Sequence, residues 1–193
     1  MSGAPKALQW TQMRQLLLLR HAKSDPGAAN QADHARPLNP RGRQDAATLR
    51  TTLRTLGLVP DVVLVSSARR TLQTLDALAP WDETPLIEPM NGLYLATAPQ
   101  ILRVIAGVAE TVRSLMVVAH NPGLHDLAMT LAASSAMSSN GNIISAVTEG
   151  FPTSALAEFT VPGGWAELAT ADGEAGTRLV RFLRPPAMPQ EPP

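Results

Sequence analysis

Not one cysteine occurs among the 193 residues of this chain. Disulfides, thiolate metal sites and cysteine nucleophiles are thereby excluded, and the composition suits a reducing compartment. Aromatic residues make up only 4%, so Leu, Val, Ile and Ala have to fill the core. Neither sign of charge is in excess: sixteen Lys and Arg balance sixteen Asp and Glu, giving a formal net charge of +0. That balance argues against nucleic-acid binding driven by bulk electrostatics, yet it allows a local basic pocket. Trp10, Trp81 and Trp165 are scattered and suggest no stacking platform for bases. No apolar run approaches the length of a membrane span. The run from Leu16 to Leu19 stops at Arg20, too short even for a signal-peptide core. The expectation is a cytoplasmic protein with neither a membrane nor a nucleic acid as partner.

Apolar residues reach 45% and charged residues 17%, enough to bury one core in a single domain. Residues 1–12 show no clear period and read as an extension, 13–185 as the domain, and 186–193 as a tail. Five of the 17 prolines fall between Pro185 and Pro193.

Within the domain, short apolar runs alternate with helical patterns. Gln15 to Leu19, Asp61 to Val65, Leu86 to Glu88 and Leu115 to Ala119 read as strands. Helices are expected over Pro40 to Leu56 with Asn39 as N-cap, over Ala68 to Ala79, from Ala98 with Thr97 as cap, and from Pro122. Ser134 to Asn142 reads as a loop of small residues. Ser154 to Val161 and Arg178 to Leu183 read as late strands joined through turn signals at Pro162-Gly163-Gly164 and Asp172-Gly173. The fold class is α/β: a three-layer αβα sandwich whose central sheet is mostly parallel, with one or two antiparallel strands at its edge.

In open α/β sheets the functional crevice lies beyond the carboxyl ends of the strands. Three such ends carry chemistry here. Arg20-His21-Ala22-Lys23-Ser24 follows the first strand, Ser66-Ser67-Ala68-Arg69-Arg70-Thr71 the second, and His120-Asn121-Pro122-Gly123 the strand ending at Ala119. Two of the four histidines and at least two arginines thus converge. Arginine forks match phosphate oxygens, and the helix starts near Ala68 and Pro122 add N–H donors. A neutral imidazole can attack phosphorus and form a phospho-enzyme, while a second, protonated imidazole stabilises the transferring group. With that positive charge supplied by side chains, neither a metal nor another cofactor is required. His34 and His125 read as non-catalytic, and His125 lies at a poor spacing from His120 for a shared metal.

These segments resemble the histidine phosphatase superfamily, which has the phosphoglycerate-mutase-like fold. Leu18 to Ser24 is similar to its RHG/RHA signature. Arg36-Pro37-Leu38-Asn39 with Gly42, Val65 to Thr74, Val118 to Leu124 and Pro152 to Ala155 are similar to the RPLN…G, VSS…RxxQT, GHNPGL and PTxA segments of its SixA-like branch of phosphohistidine phosphatases. The resemblance runs from about Met13 to Pro185. It implies that His21 is the nucleophile, that Arg20 and Arg70 clamp the phosphoryl oxygens, and that His120 stabilises the transition state. Ser24 and Asn121 are expected to help line the pocket, and Arg70 is preferred over Arg69 as clamp because it holds the family position before xxQT.

The departure from the pattern concerns the general acid, a carboxylic acid that many members place after the third strand. Glu88 is the one nearby carboxylate in Ile87-Glu88-Pro89-Met90. A phosphoramidate leaves well once its nitrogen is protonated, so cleavage of a P–N bond can dispense with such an acid. The expected activity is a metal-independent phosphatase acting through a phosphohistidine intermediate. The expected partner is a phosphorylated protein such as a histidine phosphotransfer domain. Alternatives are a small phosphorylated metabolite, hydrolysed as an ester, and a phosphate-binding domain without turnover. Pocket walls are expected from Pro26 to Arg36, Gly92 to Ala98 and residues 134–150.

Overall fold

Leu16, Leu17, Leu18 and Leu19 are all fully buried, which in a strand requires cover on both faces of the sheet. Each such leucine contributes about 1.5–3 kcal/mol relative to an exposed one. The computed structural model describes residues 13–133, 141–170 and 176–185. The expected extension 1–12 and tail 186–193, most of the expected loop at 134–142 and the turn at Asp172-Gly173 lie outside those residues.

The strands are β1 Arg14–Arg20, β2 Val62–Ser66, β3 Leu86–Met90, β4 Ser114–Ala119, β5 Leu156–Val161 and β6 Arg178–Leu183. They form one six-stranded sheet in the order β3-β2-β4-β1-β5-β6. The first four run parallel. β5 is antiparallel to β1 and to β6, so β5 alone is reversed. The helices are α1 Pro40–Thr55, α2 Arg69–Leu78, α3 Ala98–Ala106, α4 Gly123–Ala133, α5 Gly141–Thr148 and α6 Trp165–Thr170. Single 3-10 turns lie at Asp33–Ala35 and Asn91–Leu93.

The period-2 alternation of β1 sorts its leucines into two cores. Leu17 and Leu19 join Val63, Val65, Met116 and Val118 under α1 and α2. Leu16 and Leu18 join Leu64, Val117 and the inner faces of α3 and α4. The three layers are therefore α1 and α2, the sheet, and the remaining helices. Asn39 caps α1 by accepting from Gly42 N at 2.8 Å, and Thr97 with Gln100 forms a capping box for α3. No helix among the described residues is long and apolar enough to cross a membrane.

Two short helices depart from the sequence reading. α5 forms although Gly141, Asn142 and the β-branched Ile143, Ile144 and Val147 have modest helix propensity. Val147 is fully buried in the core, and Ile143 and Ile144 pack against it, so tertiary packing decides. α6 follows the Pro-Gly-Gly signal read as a turn. Its start is held by Glu110, whose carboxylate accepts from Trp165 N and Ala166 N at 3.2 Å, while the Trp165 ring is fully buried.

Gly42, in the first turn of α1, and Gly123, the first residue of α4, sit at close approaches. A Cβ on Gly123 would lie 1.9 Å from the Ala96 carbonyl oxygen, and one on Gly42 would lie 2.0 Å from that of Lys23. Backbone is the obstacle in both cases and cannot swing aside as a side chain would. Gly123→Ala is therefore expected to lower the thermal unfolding midpoint by about 3–10 °C, from an overpacking cost of about 1–3 kcal/mol. A melting curve superimposable on that of the parent would contradict this packing.

Candidate functional site

Parallel pairing of β1 with β4 sets Arg20 opposite Ala119, and His21 N donates to Ala119 O at 3.2 Å. The residues that follow each strand, His21 and His120, therefore emerge side by side. Their ring centroids are 5.1 Å apart. β2 is the other neighbour of β4 and delivers Ser66 and the start of α2, which carries Arg70. Arg20, Arg70 and both histidines line one cavity of about 250 Å³, together with Ser24 and Asn121. Lys23, Arg36, Leu95 and Thr153 complete its described lining. Every expected site residue except Glu88 is there.

Glu88 sits on the exposed edge strand β3 and lines a separate groove between β3 and α3, beside Arg103. In β3, Leu86, Glu88 and Met90 face that groove together, so the strand's own alternation aims the carboxylate away from the histidines. Arg69 is exposed whereas its neighbour Arg70 is buried, as one helical step in α2 requires.

Hydrogen bonds fix the two imidazole tautomers. His21 Nδ1 lies 2.8 Å from Ala22 O. A carbonyl only accepts, so Nδ1 carries the proton and Nε2 keeps a lone pair. His120 has the opposite arrangement. Arg70 Nη2 can only donate and lies 3.3 Å from His120 Nδ1, which places the His120 proton on Nε2, donating to Ser66 Oγ at 2.8 Å.

Burial, then the charges of Arg70, Arg20 and Arg36, push His21 down to about 4 against the backbone hydrogen bond that favours its charged form. Burial first, then His21 and Arg70, pushes His120 down to about 3. The resting site holds both rings neutral near pH 7. The protonated second imidazole expected from the sequence is thus not the resting form: a buried neutral ring between a histidine and a guanidinium takes up a second proton only with an anion beside it.

The arginines are anchored from behind. Arg20 Nη1 donates to Phe151 O at 2.8 Å, and its buried Nε has no partner among the described residues. Arg70 donates to Asp33 O at 2.7 Å and to Asp33 Oδ2 at 2.9 Å. Asp33 also accepts from Arg36 Nη1 at 2.8 Å and the Tyr94 hydroxyl at 2.7 Å. The Tyr94 hydroxyl, with Arg36 and Arg70, holds the Asp33 carboxyl well below the usual carboxylate range. Asp33, Tyr94 and Ser66 escaped the sequence reading because each acts on a residue distant in the chain. The mechanics of the RxxQT segment come from the fold. Gln73 Oε1 accepts from Leu38 N and Thr74 Oγ accepts from Ala22 N, at 2.8 and 2.9 Å, tying both pocket loops to α2.

The depressed histidines have a measurable sign. With the folded value of His21 below its ordinary 6.5, the folded protein binds fewer protons than the unfolded chain. The corresponding stability is complete above pH 6.5 and is lost as pH falls towards 4. NMR titration of the His21 ring is expected to show a midpoint near 4, and His21→Asn to flatten the loss of stability across that window. A His21 midpoint near 6.5 would contradict the burial and charge described here.

The profile of the histidine phosphatase superfamily (branch 1) matches residues 16–90. An uncharacterised Mycobacterium tuberculosis protein, Rv1276c, is 36% identical over 156 residues, covering 78% of this chain and 91% of that protein. Among solved structures, the SixA of Agrobacterium tumefaciens, a candidate phosphohistidine phosphatase, is 30% identical with a TM-score of 0.72, covering 89% of this chain and 98% of that one. The corresponding SixA from Nakamurella multipartitia is 29% identical with a TM-score of 0.76, covering 91% and 98%. A SixA protein histidine phosphatase solved with tungstate, 22% identical, has a TM-score of 0.67 over 89% of this chain and 97% of that one. With its strand-end histidines in one basic cavity and these relatives along most of its length, the chain belongs to the histidine phosphatase superfamily and is SixA-like.

Proposed function

We propose that the protein is a phosphatase that transfers a phosphoryl group to His21 Nε2 and then to water, and that its substrate is phosphohistidine on a protein. The observation that carries this reading is the His21 ring itself. Its Nδ1–H is pinned to Ala22 O, and it is held neutral in a cavity also lined by Arg20, Lys23, Arg36 and Arg70. A neutral lone pair facing a cationic wall suits attack on a phosphorylated anion.

In the first step Nε2 forms the new N–P bond as the bond to the leaving group breaks on the opposite side. Arg20 and Arg70 hold the non-bridging oxygens. The arriving anion offsets the burial and the cationic neighbours that depress His120: as Arg70 Nη2 turns from His120 Nδ1 to a phosphoryl oxygen, Nδ1 takes up a proton from solvent and donates a hydrogen bond to the phosphoryl group, while Ser66 keeps its Nε2–H. In the second step water attacks phosphorus, one proton is released, and His21 is regenerated with inorganic phosphate. A SixA protein histidine phosphatase of the same fold has been solved with tungstate, a tetrahedral oxyanion.

The preference for a P–N bond rests on the absence of a carboxylic acid from the described lining. Asp33 is anionic and committed to three partners, and Glu88 faces the other groove. A phosphohistidine leaving group protonated on its second ring nitrogen departs as neutral imidazole and needs no such donor. Ester hydrolysis needs a proton for the departing alkoxide, help worth about 10²–10⁴ in rate.

No three His, Asp or Glu side chains among the described residues gather as a metal site would require, and the reading uses arginine and histidine charge in a metal's place. The test is a panel of phosphohistidine, phospholysine and sugar phosphates, run with and without a chelator and with Glu88→Gln alongside. Phosphohistidine is expected to turn over best, unaffected by chelator, with Glu88→Gln within twofold of the parent on every substrate. Turnover of sugar phosphates alone, or loss of activity with chelator, would overturn the reading.

A further inference from the structure

Leu95 is the one apolar side chain in the described lining of the phosphoryl cavity. It is also among the exposed large hydrophobics, at 52%. Its backbone is left-handed, with φ of 49°, a region that leucine seldom occupies and that costs of order 1 kcal/mol. Its surroundings explain how the residue is kept there. Leu93 and Ala96 are buried on either side. Ala96 O lies against Gly123, Thr97 caps α3, and the Tyr94 hydroxyl is bonded to Asp33. With its neighbours anchored, the left-handed turn puts Leu95 at the cavity instead of in the core. The fold thus spends strain to hold an exposed apolar surface beside two histidines and two arginines, none of which needs it to bind phosphate.

Resting on the phosphatase reading above, we infer that Leu95 determines specificity by contacting the leaving group, and that the contact favours a flat, apolar-faced heterocycle: the imidazole ring of phosphohistidine. A phosphoryl group held by Arg20 and Arg70 directs its leaving group away from His21, towards the open side of the cavity. A ring there packs against Leu95, whereas an ammonia leaving group is too small to reach it. Tyr94, edge-on to His120 with centroids 5.5 Å apart, stiffens the same wall from behind.

The experiment compares the parent with Leu95→Gly and Leu95→Asn on two P–N substrates, a phosphohistidine peptide and phosphoramidate. Glycine and asparagine both accept the left-handed backbone, so the variants are expected to melt at or above the parent temperature. Both are expected to raise KM for the phosphohistidine peptide about tenfold, the size of one lost apolar contact face. kcat should stay within twofold, and kcat/KM for phosphoramidate should not change. Equal losses on both substrates, or no change on either, would overturn the role of Leu95 while leaving the phosphatase intact. Parent protein inactive on both P–N compounds would instead overturn the phosphatase reading, and this inference with it.

Discussion

His21→Asn is expected to lower turnover by about 10⁴-fold or more, the scale on which a lost nucleophile reads out, without unfolding the protein. The cavity offers no replacement. His120 Nδ1 is covered by Arg70 and its Nε2 is bonded to Ser66. Ser24 Oγ accepts from Arg36 Nη2 at 3.1 Å, and no neighbouring base stands ready to activate it. Arg20 and Arg70 draw their anchoring from Phe151 and Asp33, so the anion site survives the substitution. The variant should accordingly bind inorganic phosphate or tungstate within a few-fold of the parent, measured by calorimetry. Turnover and binding then separate, and that separation distinguishes an enzyme from a domain that only recognises phosphate. A variant retaining a tenth of parental activity would remove His21 from the chemistry.

Arg70→Ala is the second large effect expected, about 10³-fold in kcat/KM, the upper range for one lost donor to a transferring group. Arg70 is 4% exposed and simultaneously serves the Asp33 backbone, the Asp33 carboxylate and His120. Removing it takes a cation from the phosphoryl group and leaves the Asp33 charge uncompensated on that side, where it repels an incoming anion. Arg70→Lys should recover little. A lysine is a single point of charge and cannot span separate acceptors as a guanidinium does. Kinetics of both variants on phosphohistidine check this, and Arg70→Lys within threefold of the parent would refute the clamp.

The parts of this site that could be read in the sequence are those fixed by strand ends. His21 and His120 each follow a β-run, and parallel pairing brings such ends together without further information. The caps at Asn39 and Thr97 were legible for a similar reason, since a cap is local chemistry within one turn. Asp33 and Tyr94 were not legible, because Asp33 holds Arg70 from 37 residues before it and Tyr94 bonds to Asp33 across a separation of 61. Glu88 looked suitable from proximity to a strand end, but side-chain alternation along β3 turns it to the other groove. α5 was hidden because the core burial of Val147 outweighs weak local propensity, and α6 because the Pro-Gly-Gly turn signal before it masks a start held by the burial of Trp165 and the carboxylate of Glu110.

In the proposed mechanism His21 carries the phosphoryl group between substrate and water. The most direct test of that step is to quench the protein with alkali during turnover of phosphohistidine and to map the product by mass spectrometry, since an N–P bond survives alkali and breaks in acid. One added phosphoryl group on the peptide containing His21, lost on acid treatment and absent from His21→Asn, is the predicted result. A phosphoryl group on His120 or on a serine, or turnover with no labelled protein at any time, would contradict it.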